Sequence, residues 1–301
     1  MRIVAKIPGT TANLGSGFDA FGLALTIYLH VDVQIQDTGV VIESHGEGAA
    51  ELPHDKSHLI FRTIDSVFAQ AGRTTPGMRL VVRNDIPLSR GLGSSGAAII
   101  AGLLCGLKLA GVKLSPAEIL KLANDAEGHP ENAASSYLGG LTISCNADGQ
   151  IIAKKISCDE SLQAVVLIPG LRISTAEARK VLPATVSHED AVYNLQRSAL
   201  LSHAFLTQDF SSLRLAMSDR LHQSFRGRLI PGFDEFISKA YTNGALGAGI
   251  SGSGSTLICF TREDGVALKQ AWEKHALAIG LSARCAILGV DNAGAKVRQA
   301  D

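Results

Sequence analysis

The chain has no surplus of charge: 28 Lys and Arg balance 28 Asp and Glu across 301 residues. Proteins devoted to nucleic acid or to anionic membranes usually carry a basic excess, so neither partner is expected. Aromatic residues are sparse, at 5%, and no basic, aromatic-rich stretch offers a stacking surface. The five cysteines (Cys105, Cys145, Cys158, Cys259 and Cys285) are scattered, odd in number and free of any C-x-x-C pair. That spacing excludes a disulfide framework or zinc cluster and leads us to expect reduced thiols in the cytoplasm. No apolar run is long enough to span a bilayer; the longest, Ala97 to Leu107, reads as a buried helix. The opening residues MRIVAKIPG enter a strand pattern at once, which leaves no room for a secretory signal. No repeat of 20 to 50 residues and no low-complexity tract interrupts the chain.

What is present is globular: 46% apolar and 19% charged residues, with length enough for two domains. RIVAKI, YLHVDVQIQ, MRLVVRNDIP, QAVVLIP and a closing SARCAIL read as strands. Residues 57–71 place Leu59, Ile60, Ile64, Val67 and Phe68 on one helical face. Ser115-Pro116-Ala117-Glu118 opens a helix that Gly128 and Pro130 break. Ser174-x-x-Glu177 and Ser187-x-x-Asp190 open two more, and further helices are expected near 232–243 and 263–279. Asn146 to Gly149 is a hairpin turn. Strands and helices mix without strict alternation, so an α+β fold is expected, with a boundary near 150–165 and domains at 1–155 and 156–301.

The residues PLSRGLGSSG at 87–96 run straight into the apolar helix. A helix start has unpaired N–H groups and a partial positive charge, and glycines before it let several N–H groups converge on one anion. Gly91, Gly93 and Gly96 suit that role, while Ser94 and Ser95 add hydroxyls able to reach a phosphate or Mg²⁺. No lysine follows, so this is not a P-loop. Alone, it is equally a structural helix cap.

Three other stretches bear on the choice. PGTTANLGSGFDAFGLAL at 8–25 sets Asn13 and Asp19 among glycines, which suits a binding loop or a run of Asx-turns. AEGHPENAASSYLGGL at 126–141 brings Glu127, His129 and Asn132 into a broken segment. A carboxylate beside phosphates usually implies Mg²⁺; a solvated helix end is the plain alternative. GAGISGSGSTLICF at 247–260 flanks a strand with small residues, as a ligand contact or a glycine-rich turn.

Together these stretches resemble the GHMP kinase superfamily, and within it the homoserine kinases. PGTTANLGSGFD matches P-A-x-x-A-N-L-G-x-G-F-D, PLSRGLGSS matches P-x-x-x-G-L-G-S-S, EGHPEN matches E-G-H-P-D-N, and SGSGST matches S-G-x-G-P-T. The order fits from about residue 2 to the end. Gly9, Gly96, Glu131, Ala134-Ser135 and Ser255 depart from the pattern, and none of them is a proposed ligand by side chain. The resemblance implies a two-domain fold, ribosomal protein S5 domain 2-like at the N-terminus and a ferredoxin-like sandwich at the C-terminus. It implies ATP held by Pro87, Ser89, Arg90, Gly91, Leu92, Gly93, Ser94, Ser95 and Gly96, with Ser251, Gly252 and Ser253. Ser95 and Glu127 would hold Mg²⁺, and the adenine would lie near Leu59 to Arg62, where core packing is the other account of Leu59 and Ile60. Asn13, Asp19, His129, Asn132, Arg179 and Arg226 would face L-homoserine, with Asp19, Asn132 and Arg179 nearest the chemistry. Asp19 would take the ammonium, and Arg179 and Arg226 the carboxylate, through the two parallel bonds a guanidinium can offer.

The implied reaction passes the γ-phosphoryl group to the homoserine hydroxyl, a step in threonine biosynthesis. Relatives with an aspartate at the Asn132 position have a base that an amide cannot be. Either positioning suffices and the proton goes to the γ-phosphate, or Asp19 is the base. Another small alcohol (mevalonate, shikimate or a sugar) and a non-catalytic nucleotide-binding module stay open, as does the oligomeric state, a homodimer included.

Overall fold

The computed structural model describes residues 1–300. Alternation of apolar residues starts β1 (Arg2–Ala12), with Ile3, Ala5 and Ile7 turned inward. The strand does not stop at Pro8-Gly9, where the sequence suggests a binding loop. A bulge between those residues shifts its register against β2 and carries it on to Ala12. β2 (Phe21–Gln36) is correspondingly long, pairing with β5 (Leu141–Ala147) at one end and β4 (Gly77–Asn84) at the other. β3 (Val40–Gly46), which the sequence pattern does not announce, lies parallel to β4. β6 (Gln150–Ile156) returns from β5 through Asp148-Gly149, both at positive φ as a two-residue hairpin requires.

Helices cover this sheet. α1 (Leu59–Gln70) buries Ile60, Ile64, Val67 and Phe68 against α2 (Ser94–Ala110). Close approach depends on Gly102, where an added Cβ would meet the Thr63 side chain at 2.5 Å. α3 (Pro116–Glu127) begins with the expected capping box of Ser115 and Glu118 and ends at Gly128 in the left-handed region. The broken segment that follows soon becomes helical again as α4 (Glu131–Leu138).

A second, fully antiparallel sheet has the order β10-β7-β9-β8, with β7 at Gln163–Pro169, β8 at Gly247–Ile250, β9 at Leu257–Thr261 and β10 at Ala283–Gly289. The unbroken apolar run of β7 is explained by burial on both faces. Ala164, Val166 and Ile168 join the core shared with the first sheet. Val165 and Leu167 join a separate cluster with Phe236 and Trp272. Around this sheet lie α5 (Thr175–Lys180), α6 (His188–Thr207), α7 (Leu213–Ala216), α8 (Gln223–Arg226), α9 (Phe233–Thr242) and α10 (Val266–Ala278). Ser174 and Ser187 cap α5 and α6 as the sequence suggests. SARCAIL is not the last strand: β11 (Lys296–Ala300) follows and pairs antiparallel with β1, returning the chain to the first sheet. The mixed two-sheet architecture is the expected α+β class. No helix among the described residues is long and apolar enough to cross a membrane.

Candidate active site between the two sheets

One cavity collects the motifs. It is lined by Asn13 and Asp19 from the turn after β1, Pro87 to Ser95 apart from Leu88, Glu127, His129 and Asn132 around the α3–α4 break, Arg179 of α5, Arg226 of α8, and Gly252 and Ser253 of the β8–β9 turn. Gly96 and Ser251, expected from the sequence to meet the nucleotide, instead lie behind this wall. Ser251 is fully buried, and its hydroxyl lies 2.6 Å from the Gly91 carbonyl and 2.9 Å from Thr11 Oγ1. Gly96 sits in the first turn of α2, where an added Cβ would lie 3.1 Å from Glu127 Oε2.

The loop has a shape that would suit an anion, for a specific reason. Four consecutive carbonyls are bonded from behind: Ser89 by the Ile173 N–H, Arg90 by that of Thr256, Gly91 by the Ser251 hydroxyl, and Leu92 by the Thr10 N–H. Gly93 caps α2 at φ 71° with no side chain bonded to the helix's first N–H groups, so those donors are available to a phosphate. Arg90, expected among the residues that hold ATP, lines the cavity and also has a structural part. Its guanidinium donates to the carbonyls of Pro169, Leu88 and Gly170, tying the loop to the end of β7.

Elsewhere in the cavity one charge pair stands beside an unpaired arginine. Asp19 accepts two bonds from Arg179, at 2.9 and 3.0 Å. Arg226 is only 2% exposed. It donates to the carbonyls of Ala178 and Gly252 and lies over the Phe18 ring, with no carboxylate in ion-pair reach among the described residues. Burial pulls its pKa down to about 10, against the opposing pull of Asp19; it is still a cation at neutral pH, lacking an anion. Asn13 spends its amide on the Gly252 carbonyl and the Asp19 N–H, so it shapes the turn. Asn13, Asp19 and Ser89 all hold positive φ, a backbone state that collects at functional sites.

Glu131, Ile173, Ser174 and Thr175 also line the cavity, and the sequence singles out none of them as a ligand. Glu131 is 3% exposed; its Oε1 lies 3.1 Å from His129 Nδ1 and accepts from Asn132 Nδ2 at the same distance. Burial works against charge on His129, but Glu131 and then Glu127 outweigh it and raise its pKa above the ordinary value. Glu131 stands inside EGHPEN, so its place in the motif is the available signal.

The comparisons with known proteins agree with this geometry. The family described as GHMP kinases N terminal domain matches residues 58–140, and GHMP kinases C terminal matches 201–277. The chain is 39% identical to a homoserine kinase of Desulfitobacterium hafniense, over 97% of this chain and 98% of that one. It is 38% identical to one of Aquifex aeolicus, over 98% and 99%. The chain belongs to the homoserine kinase family of the GHMP kinases. A crystal structure of homoserine kinase from Cytophaga hutchinsonii superposes with a TM-score of 0.89 at 28% identity, covering 99% of this chain and 97% of that one.

Members of this family use ATP, and two features test the fit of a metal nucleotide. Glu127 Oε2 is sealed from solvent with no hydrogen-bond partner, and burial raises its carboxyl to about 7, His129 opposing and Glu131 adding. No three His, Cys, Asp or Glu side chains cluster as a metal cage among the described residues. One orphaned carboxylate lining the same cavity as the Ser94 and Ser95 hydroxyls would instead fit a Mg²⁺ that has few protein ligands. Beyond the loop, a second and more apolar cavity shares Ser89, Ser94 and Ser95 with the first and is walled by Leu52, His58, Leu59, Ile60 and Val82. Leu59 and Ile60 border this cavity, and Ile60 is at the same time a core residue, 1% exposed, with Leu59 packed against that core. Arg62 is exposed and lies outside that wall.

Proposed function

We propose that the protein phosphorylates the side-chain hydroxyl of L-homoserine with ATP, giving O-phospho-L-homoserine and ADP. The observation that carries this reading is one cavity that brings an anion cradle and an orphaned carboxylate together with an Asp–Arg pair and an unpaired arginine. Phosphoryl transfer asks mainly for alignment and charge stabilisation. The N–H groups at the start of α2, with Ser94 and Ser95, hold the triphosphate, and the apolar cavity takes the adenine. Glu127 and Ser95 would hold Mg²⁺, which would supply charge neutralisation at the phosphates.

The Asp19–Arg179 pair suits a zwitterion. An α-amino acid brings an ammonium for Asp19 and a carboxylate for Arg179, replacing one ion pair by two. Arg226 then gains the anion it lacks. His129 and Asn132, fixed through Glu131, border the space left for the acceptor hydroxyl. Asn132 is an amide and cannot take up a proton, and in the bound state Asp19 is committed to the substrate ammonium. These residues act by positioning, and the hydroxyl proton passes to the γ-phosphate. For the chain's organisation we place the division just after β6 (Gln150–Ile156), one residue past the expected 155/156, with β11 added back to the first sheet.

The test is a coupled ADP-release assay with L-homoserine beside L-serine, L-threonine and mevalonate. Preference for homoserine is expected. Equal or greater turnover with another acceptor would move the assignment within the superfamily, and nucleotide binding without turnover on any acceptor would end the kinase reading.

A further inference from the structure

Thr10 is fully buried in β1 yet is bonded to both halves of the site. Its N–H donates to the Leu92 carbonyl at 3.0 Å, holding the phosphate loop from behind. Its hydroxyl donates to Asn132 Oδ1 at 2.8 Å. An amide can turn over and exchange its oxygen for its nitrogen, and a hydroxyl that could accept as well as donate would not by itself choose between the two. Here the choice is made jointly. Asn132 Nδ2 donates to Glu131 Oε1, which can only accept when ionised, so Oδ1 must face Thr10 and the hydroxyl must donate. Glu131 Oε1 in turn faces His129. Thr10, Asn132, Glu131 and His129 form one directed chain along the wall of the cavity.

Gly93 makes room for it. A Cβ at that position would lie 1.9 Å from Thr10 Oγ1, so a side chain there would drive the hydroxyl from its place. The neighbouring Thr11 points to the other face of the strand, as alternation demands, where its Oγ1 is 2.9 Å from the Ser251 hydroxyl.

We propose that Thr10 is a positioning residue for phosphoryl transfer, acting through Asn132 and registering it against the phosphate loop. This rests on the kinase reading above. The group to remove is the hydroxyl alone. Thr10→Val keeps the branched shape, Thr10→Ser keeps the hydroxyl, and Thr10→Ala serves in the same cycle should Val not fold in this tight site.

Loss of the buried bond should lower kcat for L-homoserine with MgATP about tenfold, at KM for ATP within about twofold of wild type. Thr10→Ser should recover most of the loss. In a double-mutant cycle, Thr10→Val added to Asn132→Ala should cost nothing more than Asn132→Ala alone, because both remove one interaction. Losses that multiply would overturn the role, as would a Thr10→Ser enzyme as slow as Thr10→Val. An inert wild-type enzyme would overturn the acceptor assignment and this role with it, whereas an active wild type with multiplying losses overturns the role alone.

Discussion

Glu127→Gln should stabilise the ligand-free protein while destroying its turnover. Glu127 Oε2 is buried without a partner, and burial is the main cause that lifts its carboxyl from 4.5 to about 7. Holding that carboxylate ionised costs the folded state about 3 kcal/mol. The folded pKa lies above the unfolded one, so the folded protein holds the extra proton between 4.5 and about 7. Stability is therefore lost as pH rises through that window, and the loss is complete above it. Glutamine carries no charge to bury, although its own amide is left partly unpaired at a cost of about 1 kcal/mol. A net gain of about 2 kcal/mol corresponds to a rise of roughly 4 °C in Tm for a chain of this size. Melting curves across pH should show the variant about 4 °C above wild type near pH 8, with that advantage gone by about pH 4.5. Turnover with MgATP should fall about a hundredfold or more, since the metal loses its charged protein ligand. A variant that melts below wild type near pH 8, or a difference that ignores pH, would refute the reasoning.

Asp19→Asn should raise KM for homoserine about tenfold and leave kcat at saturation within a few fold; a collapse of kcat at saturation would make Asp19 the base. Gly93→Ala should lower stability by about 2 kcal/mol or more, because its Cβ falls 1.9 Å from Thr10 Oγ1 at φ 71°; melting and titration with a fluorescent nucleotide should show both the loss and weakened binding. Arg226→Lys keeps a cation and loses the fork, so KM for homoserine should rise about tenfold with KM for ATP unchanged. Equal changes in both constants would mean that the cavity itself had collapsed.

Features that depend on neighbouring residue types are legible in the sequence itself. The capping boxes at Ser115/Glu118 and Ser174/Glu177 form as expected, and so does the Asp148-Gly149 turn, because each needs only residues a few positions apart. β1 runs past its expected end because Pro8-Gly9 is a breaker by type, and only the register against β2 reveals the bulge that absorbs it. β11 is short, polar and poor in pattern; it is a strand because β1 offers it an edge.

The site divides along the same line. Its front is marked by residue types that the backbone requires: Gly91 and Gly93 at positive φ, and Ser94 and Ser95 at the helix start. Its back is not so marked. The N–H groups of Ile173 and Thr256 that hold the Ser89 and Arg90 carbonyls could belong to almost any residue, and they come from the far half of the chain. The Asp19–Arg179 pair joins side chains 160 positions apart, and either one alone reads as an ordinary surface charge. Thr10 is the intermediate case. Its hydroxyl is a side-chain feature, but Thr10 and Thr11 are the same letter twice, and strand alternation sends one to Asn132 and the other to Ser251. The proposed phosphate cradle of this chain is therefore marked in its sequence only on the face that would meet the ligand, and the support that aims its N–H groups must be found in three dimensions.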